Sequence, residues 1–131
     1  MTRFFASRTA AAAFLLVLAV STLVAACSSA GPQTVRGAEA VSMLSTRTVI
    51  DVRTPGEYAA GHLAGAINID VEASDFSARI ASLDKSAPYL VYCHSGRRSA
   101  IAAKTMTDAG FTDVADGGGM SDLVAAGAPV Q

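Results

Sequence analysis

The sequence predicts a single α/β domain whose helices cross over between the strands of a sheet. Short β-branched runs alternate along the chain with short amphipathic helical patterns, the signature of that class. The 131-residue length suits one domain with a core of ordinary size, and neither an internal repeat nor a second linker is visible. The clearest strand, Tyr89-Leu90-Val91-Tyr92, is followed closely by a glycine-containing loop and a helical pattern.

In chain order, Val41 and Leu44 mark one face of a helix near 38–45. The run 48–52 reads as a buried strand. Thr54-Pro55-Gly56-Glu57 supplies an N-cap, a proline at the first helical position and a glutamate at N3, a capping box that starts the next helix. Ala66-Ile67-Asn68-Ile69 is a second short strand. Phe76, Ile80 and Leu83 fall at i, i+4 and i+7 behind Ser74-Asp75 and predict a helix over 75–83. Pro88 opens the strand 89–92. A helix over 99–109 follows, closed by Gly110, with Ile101, Thr105, Met106 and Ala109 on its inner face. Residues 111–115 give the last strand, and Gly117-Gly118-Gly119 reads as a turn into a final short helix. It is not a phosphate loop, because the Gly-Lys-Ser/Thr of that motif is missing.

Hydrophobic residues make up 51% of the chain, but they are unevenly spread. Residues 1–9 carry Arg3 and Arg8 and no acid, and in the 17 residues of 10–26 only Ser21 and Thr22 are polar. A basic start, an apolar stretch and small residues make a secretory signal peptide, slightly short for a membrane-spanning helix. Leu23-Val24-Ala25-Ala26-Cys27 resembles a bacterial lipobox, in which the cysteine thiol receives a diacylglycerol before cleavage. The expected organisation is a lipoprotein signal peptide over 1–26, a lipidated Cys27 with a flexible tether over 27–35, and a domain over 36–131. An uncleaved anchor helix is the competing reading. Several lipid chains would hold the protein stably at the outer face of the bacterial cell membrane. Losing 26 of 131 residues, Arg3 and Arg8 among them, leaves 105 residues and moves the formal charge from −1 to −3.

Composition excludes several function classes. Near-neutral charge argues against a broad nucleic-acid surface, and the absence of Trp with 6% aromatic residues argues against base-stacking platforms. Two cysteines and two histidines leave no disulfide scaffold and no four-cysteine or histidine-rich metal site, so no metal is expected.

The chemistry concentrates at Cys93, directly after the strongest strand and ahead of a helix start. Ligands of open parallel sheets bind beyond the carboxyl ends of strands. Unpaired amides and the helix dipole there favour a thiolate, the form a sulfur nucleophile requires. Gly96 lets the loop curl so that several amides face one point, and Arg97 and Arg98 add positive charge at the rim. A buried, inert cysteine is the alternative.

Three segments carry a family resemblance: Asp51-Val52-Arg53-Thr54-Pro55-Gly56-Glu57-Tyr58, Gly61-His62-Leu63-Ala64-Gly65-Ala66-Ile67-Asn68-Ile69, and Cys93-His94-Ser95-Gly96-Arg97-Arg98-Ser99. Together they resemble a single-domain rhodanese across 36–130. The resemblance implies a rhodanese-like α/β fold, with a five-stranded parallel sheet flanked by short helices on both faces. It also implies a sulfurtransferase in which Cys93 takes up a sulfane sulfur as a persulfide, cradled by His94, Ser95, Gly96, Arg97 and Arg98. Thiosulfate would be the anionic donor, and cyanide or a thiol the acceptor. No cofactor and no nucleic acid take part, and a monomer is expected. Asp51 and Arg53 would mainly brace neighbouring segments, Glu57 would close the capping box, and His62 would be a hydrogen-bonded turn residue. His94 is a candidate base beside the nucleophile, although adjacent loop residues usually point apart.

Phosphatases and arsenate reductases of related fold use Cys-x5-Arg, whereas six steps past Cys93 lies Ser99 and Arg98 is at five. Loop length therefore favours sulfur transfer. A non-catalytic, carrier or sensor module is the other class, against which Cys93 and Gly96 argue. The chain departs from most relatives at Leu123, where they carry Trp, and near Asp116, where they carry an apolar residue.

Overall fold

The computed structural model describes residues 31–131; the leader, Cys27 and the start of the tether lie outside the described residues. In chain order the elements are β1 (Gln33–Thr34), α1 (Gly37–Met43), β2 (Thr48–Asp51), α2 (Pro55–Ala59), β3 (Ile67–Asn68), α3 (Phe76–Ala81), β4 (Tyr89–Cys93), α4 (Arg97–Asp108), β5 (Val114–Gly119) and α5 (Met120–Ala125). The strands form one five-stranded sheet in the order β1-β5-β4-β2-β3, with every pairing parallel. This is the predicted α/β fold.

Side chains of β2 and β4 alternate between two cores, which explains why these strands read as continuous apolar runs. Ile50, Val52 and Val91 pack with Phe76 and Ile80 of α3 and Ala102, Ala103 and Met106 of α4 on one face. Val49, Leu90 and Tyr92 pack with Ala40 of α1 and Leu123 of α5 on the other. The capping box forms as expected: Thr54 Oγ1 accepts from the Glu57 amide, and the Glu57 carboxylate accepts from the Thr54 amide. No helix among the described residues is long and apolar enough to cross a membrane.

Three sequence expectations need correcting. The sheet starts inside the segment read as tether: β1 pairs with β5, and Val35 is buried with its amide bonded to the Asp116 carbonyl at 3.0 Å. A strand of two polar residues leaves no periodicity to read. The inner face of α4 is Ser99, Ala102, Ala103 and Met106, whereas Ile101 is 48% exposed. The small residues of that stripe let the helix lie close on the sheet.

The third correction concerns the glycine run, which is strand rather than turn. Gly117, Gly118 and Gly119 complete β5 beside β4. Val91 pairs with Asp116 but Cys93 with Gly119, so β5 carries one extra residue at a bulge, with Gly118 at φ +81°. Contact as well as conformation demands glycine here. A Cβ on Gly117 would lie 2.8 Å from Leu90 Cδ2, and one on Gly119 would lie 2.8 Å from the His94 carbonyl oxygen.

Candidate active site

Cys93 ends β4 at the centre of the sheet, and α4 begins four residues later at Arg97. Between them Gly96 adopts φ +97°, a left-handed turn that no other residue makes without strain. This turn aims the Gly96 amide back at the thiol: its N–H donates to Cys93 Sγ at 3.0 Å. Ser99, fully buried, donates its hydroxyl to the Gly96 carbonyl at 2.9 Å and locks the curl against the first turn of α4. The floor beneath is the β5 bulge, with Gly118 and Gly119 against Gly96, His94 and Ser95. Asp116 pins that floor, its Oδ1 accepting from the Gly118 amide at 3.1 Å while its carbonyl accepts from Arg36 at 2.7 Å. Leu123 lies wholly in the core. The two departures noted in the sequence thus fall at the floor of the loop and in the core of the α1/α5 face.

Cys93 is a free thiol with no exposed surface, while His94 and Ser95 at the rim are exposed. The two arginines part company. Arg98 turns sideways onto α2, giving Glu57 a bidentate pair at 2.7 Å from each terminal nitrogen, with Glu72 at 3.4 Å. Arg98 holds the Glu57 carboxyl well below its usual range, at about 2, and Glu57 in turn raises Arg98. The capping-box carboxylate is therefore also the clamp between α2 and the Cys93 loop. Arg97 is exposed and, among the described residues, meets no carboxylate within ion-pair distance.

Asp51 and Arg53 form a buried brace at the neighbouring strand end. Asp51 has no exposed surface, and its carboxylate accepts from Arg53 Nη2 at 2.6 Å, Arg53 Nε at 3.0 Å and the Tyr92 hydroxyl at 2.7 Å. Arg53 Nη2 also reaches the Gly61 carbonyl at 2.7 Å, tying β2 to the turn after α2. The hydrogen bonds to Asp51 raise Arg53, and burial pushes the Tyr92 phenol well above its usual value. Sequence reasoning missed Tyr92 as a member of this brace, because a tyrosine inside an apolar strand carries no mark of what its hydroxyl meets. His62 is the expected turn residue, with Nδ1 2.9 Å from the Tyr58 carbonyl and its ring stacked on Tyr58. His94, exposed at the rim of the loop, borders an open chamber. Among the described residues no group of three His, Cys, Asp or Glu could hold a metal ion.

A family model described as the rhodanese-like domain matches residues 37–125, almost the whole described fold. The chain belongs to the rhodanese-like family. Its rhodanese-like domain is 40% identical over 76 residues to a thiosulfate sulfurtransferase, PspE, of Escherichia coli (strain K12), covering 56% of this chain and 71% of that protein. It is 42% identical over 73 residues to the thiosulfate sulfurtransferase GlpE of Pseudomonas fluorescens, covering 53% of this chain and 64% of that one. Among solved structures, a rhodanese-related protein from Thermoplasma volcanium superposes with a TM-score of 0.67 at 30% identity, over 76% of this chain and 97% of that one. A rhodanese-like domain from Anabaena gives 0.65 at 30% identity, over 78% and 80%. These relatives support rhodanese-type sulfur transfer as the enzyme class of the domain, a class that requires a sulfur donor and an acceptor.

Proposed function

We propose that this chain is a rhodanese-type sulfurtransferase that carries sulfane sulfur as a persulfide on Cys93, with thiosulfate as donor and cyanide or a thiol as acceptor. The observation that carries this reading is the Gly96 amide held at 3.0 Å on Cys93 Sγ by a left-handed glycine at a helix start. In the first half-reaction the Cys93 thiolate attacks the outer sulfur of thiosulfate. A sulfur–sulfur bond forms, the donor's own sulfur–sulfur bond breaks, and sulfite leaves with its electron pair. The new bond places the charged outer sulfur about 2 Å beyond Sγ. Converging loop amides stabilise that charge as they would an oxyanion. In the second half-reaction cyanide or a thiolate takes the outer sulfur and the Cys93 thiolate returns. Every step moves sulfur on one atom, and the chemistry calls on no cofactor.

The test is the mass of the intact full chain after thiosulfate treatment and removal of excess reagent. A gain of one sulfur atom, lost again on adding cyanide with release of thiocyanate, is the expected result. No gain would refute the persulfide.

The arginines take different roles in this reading. Arg97, with its charge uncompensated, attracts the anionic donor, and Arg98 positions α2 against the loop. Arg97→Ala is expected to raise KM for thiosulfate severalfold with little change in stability, because it removes binding shared by ground and transition states. Arg98→Ala is expected to lower stability instead. The Arg98–Glu57 contribution is complete above the ordinary Glu value of 4.5 and is lost as pH falls toward about 2. Equal KM effects from both variants would remove the distinction.

We further propose that residues 1–26 are an export signal and that Cys27 carries the lipid that holds the domain at the outer face of the membrane. The basic start, the apolar stretch and the lipobox-like Leu23-Val24-Ala25-Ala26-Cys27 support this. Cys27→Ala is expected to abolish incorporation of labelled fatty acid; unchanged labelling would overturn it.

A further inference from the structure

Arg36 stands at the turn from β1 into α1, immediately before the stretch that the family model matches. Its half-exposed side chain folds back over the end of β5. Nη1 donates to the carbonyls of Val35 and Asp116, each at 2.7 Å, and Nη2 lies 3.4 Å from the Asp116 carboxylate. The guanidinium also covers Gly118. A Cβ on that residue would lie 3.1 Å from Arg36 Cζ and Nε, so the cation rests against the bare face of the glycine.

Asp116 is a costly residue for its place, because it is buried in a strand that lies between β1 and β4. A buried ion pair is weak support for a fold, since apolar side chains of similar volume serve as well or better. The hydrogen bonds of Asp116 lead instead to the Cys93 loop. Its Oδ1 accepts from the Gly118 amide at 3.1 Å. Gly118 touches Gly96, where an added Cβ would meet Gly118 Cα at 3.5 Å, and its carbonyl accepts from the Ser99 hydroxyl at 3.4 Å. Ser99 also donates to the Gly96 carbonyl, and the Gly96 amide donates to Cys93 Sγ at 3.0 Å. An unbroken series of contacts thus joins Arg36 to the hydrogen bond on the Cys93 sulfur.

We infer that Arg36 is a positioning residue for sulfur loading, acting through Asp116 and Gly118 to hold the Gly96 amide on Cys93 Sγ. The inference rests on the sulfurtransferase reading above and extends its machinery to the segment that opens the fold. Pinning Gly118 at its left-handed φ of +81° fixes the surface against which Gly96 curls. Loss of the Arg36 side chain opens the space beside Gly118, the bulge relaxes into it, and the Gly96 amide loses its aim on the sulfur. Misplacement of this kind slows the bond-making step even though the altered side chain lies away from the chemistry. A cation that merely attracted the anionic donor would change donor binding instead.

The experiment mixes the full chain with saturating thiosulfate and no acceptor, and follows persulfide formation by intact mass in timed quenches. Arg36→Ala is expected to load to the same final extent as the parent, with a rate constant lower by about tenfold. The thiosulfate concentration that gives half the maximal rate should change by less than about twofold, the opposite split from Arg97→Ala. Asp116→Ala should slow loading to a similar degree, and Asp116→Asn, which keeps an acceptor for the Gly118 amide, should recover most of the rate. The double variant Arg36→Ala/Asp116→Ala should be no slower than Asp116→Ala, because both changes act on one path. An unchanged rate constant for Arg36→Ala overturns the inference. So does a smaller loaded fraction at the parent rate, which is an effect on stability alone, or a weaker response to thiosulfate at an unchanged maximal rate. Additive losses in the double variant, or an Asp116→Asn as slow as Asp116→Ala, overturn the route through Asp116 and Gly118. A parent chain that gains no sulfur removes the sulfurtransferase reading itself, whereas a parent and an Arg36→Ala that load alike remove the positioning role alone.

Discussion

Cys93→Ser is expected to abolish sulfur uptake from thiosulfate and to lower turnover to background, a loss on the order of 10⁴-fold or more. The substituted oxygen is smaller than sulfur and can still accept from the Gly96 amide, but it cannot form a stable bond to sulfane sulfur. The fold should survive, because Cys93 contributes a small side chain to a core whose bulk is Ile50, Val91, Phe76 and Met106. A thermal melt should therefore stay close to that of the parent protein while intact mass shows no added sulfur. A variant that still gains one sulfur atom would place the nucleophile elsewhere. Cys27 is the only other cysteine in the sequence, and it precedes the fold.

The second large effect falls on stability. Asp51→Ala leaves the Arg53 guanidinium and the Tyr92 hydroxyl without their shared acceptor inside the protein. Removing one partner of a buried pair costs about 3–5 kcal/mol, because the remaining charge stays desolvated. The loss is read from the urea midpoint at constant slope. Asp51→Asn keeps an acceptor and should recover part of it. Activity should fall with Asp51→Ala as well, since Arg53 ties the end of β2 to Gly61 beside the chamber. A loss under about 1 kcal/mol would show that Arg53 and Tyr92 find other partners, and the brace would lose its structural role.

Much of this arrangement was legible in the sequence, for local reasons. The alternation of strand and helix, the capping box at Thr54 and Glu57, and the position of Cys93 between a strand and a helix depend on residues close in the chain. Other features depended on partners far away. Glu57 announced itself as a cap, but its second task on Arg98 joins residues 41 positions apart. Gly117, Gly118 and Gly119 look like a turn from their composition alone. They are strand because β5 must pass against Leu90 and the His94 carbonyl with no room for a Cβ. Ile101 looked like a core residue by type, yet the sheet takes the alanine side of α4.

The sequence by itself determined the fold class and singled out Cys93 as the thiol proposed to carry sulfur. Both follow from patterns of apolar periodicity and loop chemistry that span a few residues. Tertiary structure alone decided how charge is distributed around that atom. Arg98 is compensated by Glu57, Arg53 by Asp51 with one nitrogen left open, and Arg97 by no carboxylate among the described residues. The physical reason is that an arginine's role depends on which carboxylate its side chain can reach in space. That reach is set by the crossing of β2, β4 and α2, which no local pattern encodes.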